Sequence, residues 1–275
     1  MDLNNPFRMA ADGNLERIKI LFRRNPEQFK DVMILYNAIE AGQLEIVQFL
    51  IENGAPVNRL NSKSSPLFYA SFTGQMKIVE YLIDKGAIID IPTLNIATQY
   101  DHLEIVQYLV EKATVHNIST LRVAAEHGRT KIIKYLVEKG ADFKAQDNEI
   151  LIEAAIYGRT EIIQYLVEKG ADVKAQGNLA LIKAATYGSF KTVKLLLEYG
   201  ARDQHYKALH KSIENRLEND DNEAIIKCLL EYFYPREIIE DLLKQVSNST
   251  NIMLLQNYLN QKFLISYQDQ RLLNK

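Results

Sequence analysis

Eleven of the twelve glycines in this 275-residue chain lie on one lattice. Gly42 and Gly54 are 12 residues apart, and the same spacing separates Gly74 from Gly86, Gly128 from Gly140, Gly158 from Gly170 and Gly188 from Gly200. Gly13 joins the series, and only Gly177 stands off it. The first glycines, with Asp101 in the place of one, follow at steps of 29, 32, 27, 27, 30 and 30. Self-similarity at 27–32 residues over most of a chain specifies a stacked-repeat array rather than two globular domains.

The phrase between paired glycines recurs as GQLEIVQFLIENG (42–54), GQMKIVEYLIDKG (74–86), GRTKIIKYLVEKG (128–140) and GRTEIIQYLVEKG (158–170). DHLEIVQYLVEKA (101–113) is the same phrase with both glycines replaced. Within 161–170, Ile162, Ile163, Tyr165, Leu166 and Val167 make a broad apolar stripe on a short helix. Lys169 suits its C-terminal dipole, and Gly170 supplies the positive-φ residue that ends it. Upstream, ILIEAAIYG (150–158) reads as a second short helix, in which Ala154 and Ala155 permit close approach. Helices of about 8–10 residues are unstable alone in water, so each pair must bury its face against the next. The expected fold is all-α: a solenoid of stacked helix-turn-helix units.

The pattern AAxxGxxxIVxxLxxxGA, carried at 154–171 by Ala154, Ala155, Gly158, Ile162, Ile163, Leu166, Gly170 and Ala171, resembles the ankyrin repeat. Ser65-Pro66-Leu67-Phe68 is similar to that family's Thr-Pro-Leu-His helix start. The resemblance covers residues 1–203 in seven copies, followed by a degenerate eighth over 204–234 and a C-terminal helical cap over 235–275. The family's period is 33 residues with a β-hairpin finger, so steps of 27 and 30 imply shortened fingers. The 54–66 junction, with Asn58, Asn61, Ser62 and Ser64, is expected near full length, and those around 87–93 and 114–119 as tight connectors. Asp101 and Ala113 replace both glycines of the fourth repeat, so its second helix should end differently and curvature should be irregular over 86–120. Short fingers of this style are similar to arrays of large DNA viruses and intracellular bacteria.

In an ankyrin array, the two residues before each first glycine project into the concave groove. This resemblance nominates Phe72, Thr73, Gln99, Tyr100, Glu126, His127, Ile156, Tyr157, Thr186 and Tyr187 as the partner-binding ridge, after Ala11-Asp12 and Glu40-Ala41. Tyr100, His127, Tyr157 and Tyr187 place a ring at one register. With packed helices about 10 Å apart they would form a ladder about 30 Å long, the scale of a protein interface. Tyrosine combines large area with a polar tip at little entropic cost. The alternative is that these rings only pack together and shield the groove. A second set, Tyr81, Tyr108, Tyr135 and Tyr165, sits within the helix-B phrase and is expected between repeats.

Chemistry-bearing patterns are missing. The 33 Lys+Arg against 35 Asp+Glu give a formal charge of −2, which offers no global attraction to nucleic acid or an anionic membrane. The lone Cys228, in an apolar phrase, excludes an internal disulfide framework and fits a reducing compartment as a buried, inert thiol. His102, His116, His127, His205 and His210 show no ligand spacing. No phosphate loop or nucleophile elbow occurs, and the carboxylates recur with the repeat as a solvated face. No stretch of about 18 apolar residues occurs, and the polar start Met1-Asp2-Leu3-Asn4-Asn5-Pro6 reads as no secretory leader. These features predict a monomeric, cytoplasmic, non-enzymatic protein-binding scaffold without metal or cofactor, working in its own cell or in the cytosol of a host.

The tail departs from the lattice. Ala208–Arg216 and Glu223–Phe233 read as helices of an eighth repeat, with Asn219–Asn222 inserted between them. Arg236–Val246 and Asn251–Phe263 read as a closing pair, since a solenoid needs a polar-faced final unit. Alternatively, Pro235-Arg236-Glu237-Ile238-Ile239-Glu240-Asp241-Leu242-Leu243 is similar to the opening of an F-box. That resemblance implies a substrate adaptor recruiting a ubiquitin ligase through 234–275. Tyr234 stands where that motif leads with leucine, and the chain has no tryptophan.

Overall fold

The computed structural model describes residues 5–30, 32–58, 65–113, 118–203, 206–214, 220–231, 234–246 and 249–264. Among these residues are eighteen α-helices and no strand. They are α1 (Pro6–Ala11), α2 (Leu15–Arg24), α3 (Val32–Glu40), α4 (Leu44–Glu52), α5 (Pro66–Thr73), α6 (Met76–Asp84), α7 (Ile91–Gln99), α8 (Leu103–Ala113) and α9 (Ile118–His127). There follow α10 (Thr130–Glu138), α11 (Ala145–Ile156), α12 (Thr160–Glu168), α13 (Ala175–Thr186), α14 (Phe190–Glu198), α15 (Lys207–Glu214), α16 (Asp220–Leu230), α17 (Arg236–Gln245) and α18 (Ser249–Leu259). A 3-10 turn at Pro26–Lys30 follows α2, and a π-helical turn at Asn260–Leu264 extends α18. Odd-numbered helices are the first (A) and even-numbered helices the second (B) of each repeat.

Contacts divide the chain into two bodies, Met1–Ala124 with Lys131–Ala141, and Ala125–Thr130 with Asp142–Lys275. In the first, helices A stack in the order α1, α3, α5, α7 and helices B in the order α4, α6, α8. In the second, α11, α13 and α15 stack as one row and α12, α14, α16 and α18 as the other. The core forms where the rows meet. Ala154, Ala155, Ile162, Ile163 and Leu166 are each at most 1% exposed, and their equivalents Ala184, Ala185, Val193 and Leu196 are fully buried. Each such isoleucine, leucine or valine side chain contributes about 1.5–3 kcal/mol on burial. Short helices thereby persist through their neighbours.

The fingers are replaced by polar rungs. Asn148 and Asn178 are buried, and their Oδ1 atoms accept the backbone N–H of Asp172 at 3.1 Å and of Arg202 at 3.0 Å in the next repeat. Asn58 does the same for Ile88 at 2.9 Å and donates to the Gly86 carbonyl at 2.8 Å. Each accepted N–H lies two residues past a second glycine. To present Asn148, residues 146–148 turn left-handed at φ of 51°, 55° and 65°; 176–178 repeat this at 52°, 67° and 64°. Gly177, the glycine off the lattice, sits mid-turn where the previous repeat has Asp147. A left-handed L-residue costs roughly 1–2 kcal/mol, which glycine avoids.

The 86–91 connector is as tight as expected: Asp90 directly N-caps α7, accepting from Thr93 N–H at 2.9 Å and Thr93 Oγ1 at 2.6 Å. Asp101 takes the left-handed conformation of the glycine it replaces, at φ 64°. α8 continues through Ala113 and, at 11 residues, outlasts the 9-residue α6 and α10, so the missing glycine is answered by a longer helix. The rest of the 54–66 junction, including Asn61, Ser62 and Ser64, lies outside the described residues. So does 114–117, part of the 86–120 stretch over which irregular curvature was expected.

A further inter-repeat bond recurs at the residue after Gly42, Gly74, Asp101 and Gly158. Gln43 donates to the Ala11 carbonyl at 3.2 Å, Gln75 to Glu40 at 3.4 Å, and His102 Nε2 to Phe72 at 3.0 Å. Arg159 forks onto the Glu126 carbonyl at 3.1 and 2.8 Å. Each satisfies a carbonyl that the C-terminus of the preceding helix A leaves unpaired. Ser189 is too short and bonds Thr192 Oγ1 at 2.7 Å instead.

The tail keeps the register that its missing glycines hide. α17 begins 29 residues after α15, and α18 begins 29 after α16. Ile225, Ile226 and Leu229 are buried in α16, as are Leu254, Leu255 and Tyr258 in α18. Asp203 accepts the N–H groups of Ala208 and Leu209, both at 2.9 Å, and the Tyr234 hydroxyl at 3.2 Å. Tyr234 N–H in turn donates to Tyr258 Oη at 2.9 Å. The outward residues Glu237, Glu240, Asp241 and Lys244 are exposed, giving the final pair a polar face.

Candidate functional site

The helix-A ridge is set by where each helix A ends. A first glycine stops the helix, so the preceding residue lies at its last turn, beyond the core positions. In the second body this leaves Tyr157 42% and Tyr187 55% exposed among large apolar side chains that are otherwise mostly buried. His127, Ile156 and Glu126 are half-buried. The Tyr157 phenol lies beside the Glu126 carboxylate of the preceding repeat. Partial desolvation first, then the charges of Glu126 and Glu153 and the neighbouring Tyr187, push the Tyr157 phenol above the usual tyrosine range. The Glu126 backbone is held by Arg159 through its carbonyl.

In the first body the ridge rings interlock. Tyr100, 46% exposed, meets Phe72 edge-on with ring centroids 4.7 Å apart. Phe72 meets Tyr69 at 6.2 Å, and Tyr69 stacks on Tyr36 at 4.4 Å with planes 5° apart. Tyr36 and Tyr69 were not nominated from sequence, since they lie a turn upstream of the glycine-adjacent pair. Thr73 and Thr186 turn their hydroxyls onto the Tyr69 and Ile182 carbonyls of their own helices, at 2.9 and 2.7 Å, so they offer methyl groups to the ridge.

The helix-B tyrosines lie between repeats. Tyr135 Oη donates to the Gln107 carbonyl of the preceding repeat at 3.3 Å, and Tyr165 is buried. Lysine ammonium groups cover these rings, Lys85 over Tyr81 at 5.4 Å and Lys112 over Tyr108 at 5.3 Å, which keeps them from a partner.

A family model for ankyrin repeats in 3 copies matches the chain over residues 7–93, 94–177, 123–205 and 151–241. The chain belongs to the ankyrin-repeat family. No curated protein matches it. Ankyrin repeats are protein–protein interaction modules, and the family is typically non-enzymatic.

The ankyrin array offers little other chemistry. Among the described residues no group of three His, Cys, Asp or Glu is placed to hold a metal ion. No helix of these residues is long and apolar enough to cross a membrane. Cys228 is half-buried rather than fully buried, and desolvation, then the Glu231 carboxylate, push its thiol up, away from thiolate reactivity. In the phrase that resembles an F-box opening, Ile239 and Leu242 are at most 1% exposed, with Ile238 and Leu243 half-buried. Its apolar residues are engaged in the closing helix pair.

Proposed function

We propose that this ankyrin array is a non-enzymatic scaffold that binds a partner protein on the helix-A face, the one such arrays hold concave. The reading rests on one observation: Tyr100, Tyr157 and Tyr187, at one register of the ends of α7, α11 and α13, are 46%, 42% and 55% exposed. A rigid helix presents such a ring without the entropy cost of ordering a loop. The binding residues are Phe72, Thr73, Gln99 and Tyr100 in the first body, and Glu126, His127, Ile156, Tyr157, Thr186 and Tyr187 in the second. Partners are proteins, with no role for nucleic acid or membrane. The array acts as a monomer in the cytoplasm, where its lone thiol stays reduced. Repeats one to seven occupy 1–203, the eighth 204–234, and 235–275 closes the stack. The adaptor reading would need the apolar residues of 235–243 to be free, and their burial counts against it.

A photo-crosslinking residue placed at Tyr187, compared with one at the exposed helix-B residue Gln164, tests the face. Adducts with one partner protein at position 187 and none at 164 are expected. Equal labelling at both positions would refute the assignment.

A further inference from the structure

The helix-B row carries a ring seven residues after the first glycine in five successive repeats: Phe49, Tyr81, Tyr108, Tyr135 and Tyr165. The burial register continues that row through Leu195 and Cys228 to Asn257. Tyr135 shows what the ring does. It lies against the helix B before it, its hydroxyl on the Gln107 carbonyl at 3.3 Å and beside the Glu111 carboxylate. Tyr81 also stands beside a carboxylate of the preceding helix B, Glu52, but its buried hydroxyl makes no hydrogen bond. In the final helix-B pair, the residues corresponding to Gln107 and Glu111 are Lys227 and Glu231, and the ring position is Asn257.

At that place there is a cavity of about 430 Å³, lined by Lys227, Leu230, Glu231, Leu254, Asn257 and Tyr258 with Gln261 and Lys262 at its edge. Leu230, Leu254 and Tyr258, each 6–8% exposed, make its floor. A cavity of this size is within the range of small-ligand sites. We propose that it is a vacated tyrosine slot that takes a phenolic ring, supplied as a tyrosine side chain of a partner protein. The occupant follows from what fills the equivalent space in this same chain. An aromatic face lies on the leucines, and a hydroxyl reaches the Lys227 carbonyl as Tyr135 reaches Gln107. The slot is on the helix-B row and is independent of the helix-A ridge, so either can fail without the other.

The probe is p-cresol titrated into the full chain, with the methyl signals of Leu230 and Leu254 followed by NMR and toluene as the analogue lacking the hydroxyl. Saturable shifts at these leucines are expected, with p-cresol binding several-fold tighter than toluene. Asn257→Tyr and Asn257→Phe should each abolish the shifts, and Asn257→Tyr should raise the Tm by about 2–4 °C as it restores the missing contacts. If Asn257→Tyr fails to fold, Asn257→Phe alone decides. Absent shifts, shifts that survive the filled variants, or equal binding of toluene would each overturn the proposal. A several-fold gain in p-cresol affinity on Tyr267→Ala would show that the chain's own tyrosine holds the slot, and would overturn the external occupant.

Discussion

Arg159 donates from Nε and Nη2 to the carbonyl oxygen of Glu126, 33 residues earlier, at 3.1 and 2.8 Å. One side chain thereby ends the helix of the previous repeat and fixes the spacing between the two. It also crowds the intervening Gly128, whose positive φ already favours glycine. With φ at 72°, a Cβ there would lie 3.2 Å from Arg159 Cδ and Nε.

Arg159→Ala should therefore destabilise the protein by about 1.5–3 kcal/mol, the range for hydrogen bonds to a charged group. Gly128→Ala should cost roughly 1–2 kcal/mol from its left-handed backbone, plus the collision with Arg159. In a double-mutant cycle the collision disappears once Arg159 is alanine, so the two costs should sum to more than the double variant loses. Denaturant titration of the four proteins measures this, and strict additivity would contradict it.

The left-handed turns predict opposite signs for two exchanges. Gly177→Ala should lower stability by about 1 kcal/mol, because nothing lies within 4 Å of the added Cβ and only backbone strain acts. Asp147→Gly, at φ 55°, should relieve strain of similar size in the equivalent turn. Thermal melts of both variants show the signs directly.

Asn178→Ala would leave the Arg202 N–H without its 3.0 Å acceptor in a part-buried junction. The expected loss is about 1–3 kcal/mol, the desolvation penalty of an orphaned group. Faster amide exchange at Arg202, measured beside the melt, would place the loss at that junction.

Tyr234 links stability to alkaline pH. Desolvation first, then the Asp203 carboxylate that its hydroxyl bonds, hold its phenol far above the ordinary tyrosine value. The folded state keeps this proton longer than the unfolded chain. The contribution is therefore complete below the unfolded pKa of about 10 and is lost as pH rises beyond it. Tyr234→Phe should be less stable at pH 7 but show a shallower decline in Tm above about pH 10. The residual slope includes Cys228, Tyr81, Tyr135 and Tyr157, whose protonated forms are also favoured. Parallel wild-type and variant curves would contradict the linkage.

What was legible in the sequence follows from how each feature is encoded. The glycines mark helix ends because few residues take positive φ, so spacing alone exposed the repeat and the register of Tyr100, Tyr157 and Tyr187. The clamp after Gly42, Gly74, Asp101 and Gly158 was not legible, because Gln43, Gln75, His102 and Arg159 share only a reach and an N–H donor. The ring stack of Tyr36 and Tyr69 was missed because it departs from the glycine-adjacent register. Left-handed turns at 146–148 and 176–178 rest mostly on non-glycine residues, and Gly177 was their one visible trace. Past Gly200 the lattice stops, yet a 29-residue step persists in the burial of Ile225 and Leu254, which the larger polar content of the tail conceals.

A helix-A ridge that binds a partner should let partner binding and folding part company there. The most direct measurement is the affinity of the crosslinked partner for wild type and for the Tyr157→Ala/Tyr187→Ala variant, with melting curves of both. Because these rings are 42% and 55% exposed, the variant should keep its Tm within a few degrees while losing at least tenfold in affinity. A collapse of the melt with affinity falling only in proportion to the folded fraction would show that the rings serve the array alone, and would contradict the claim.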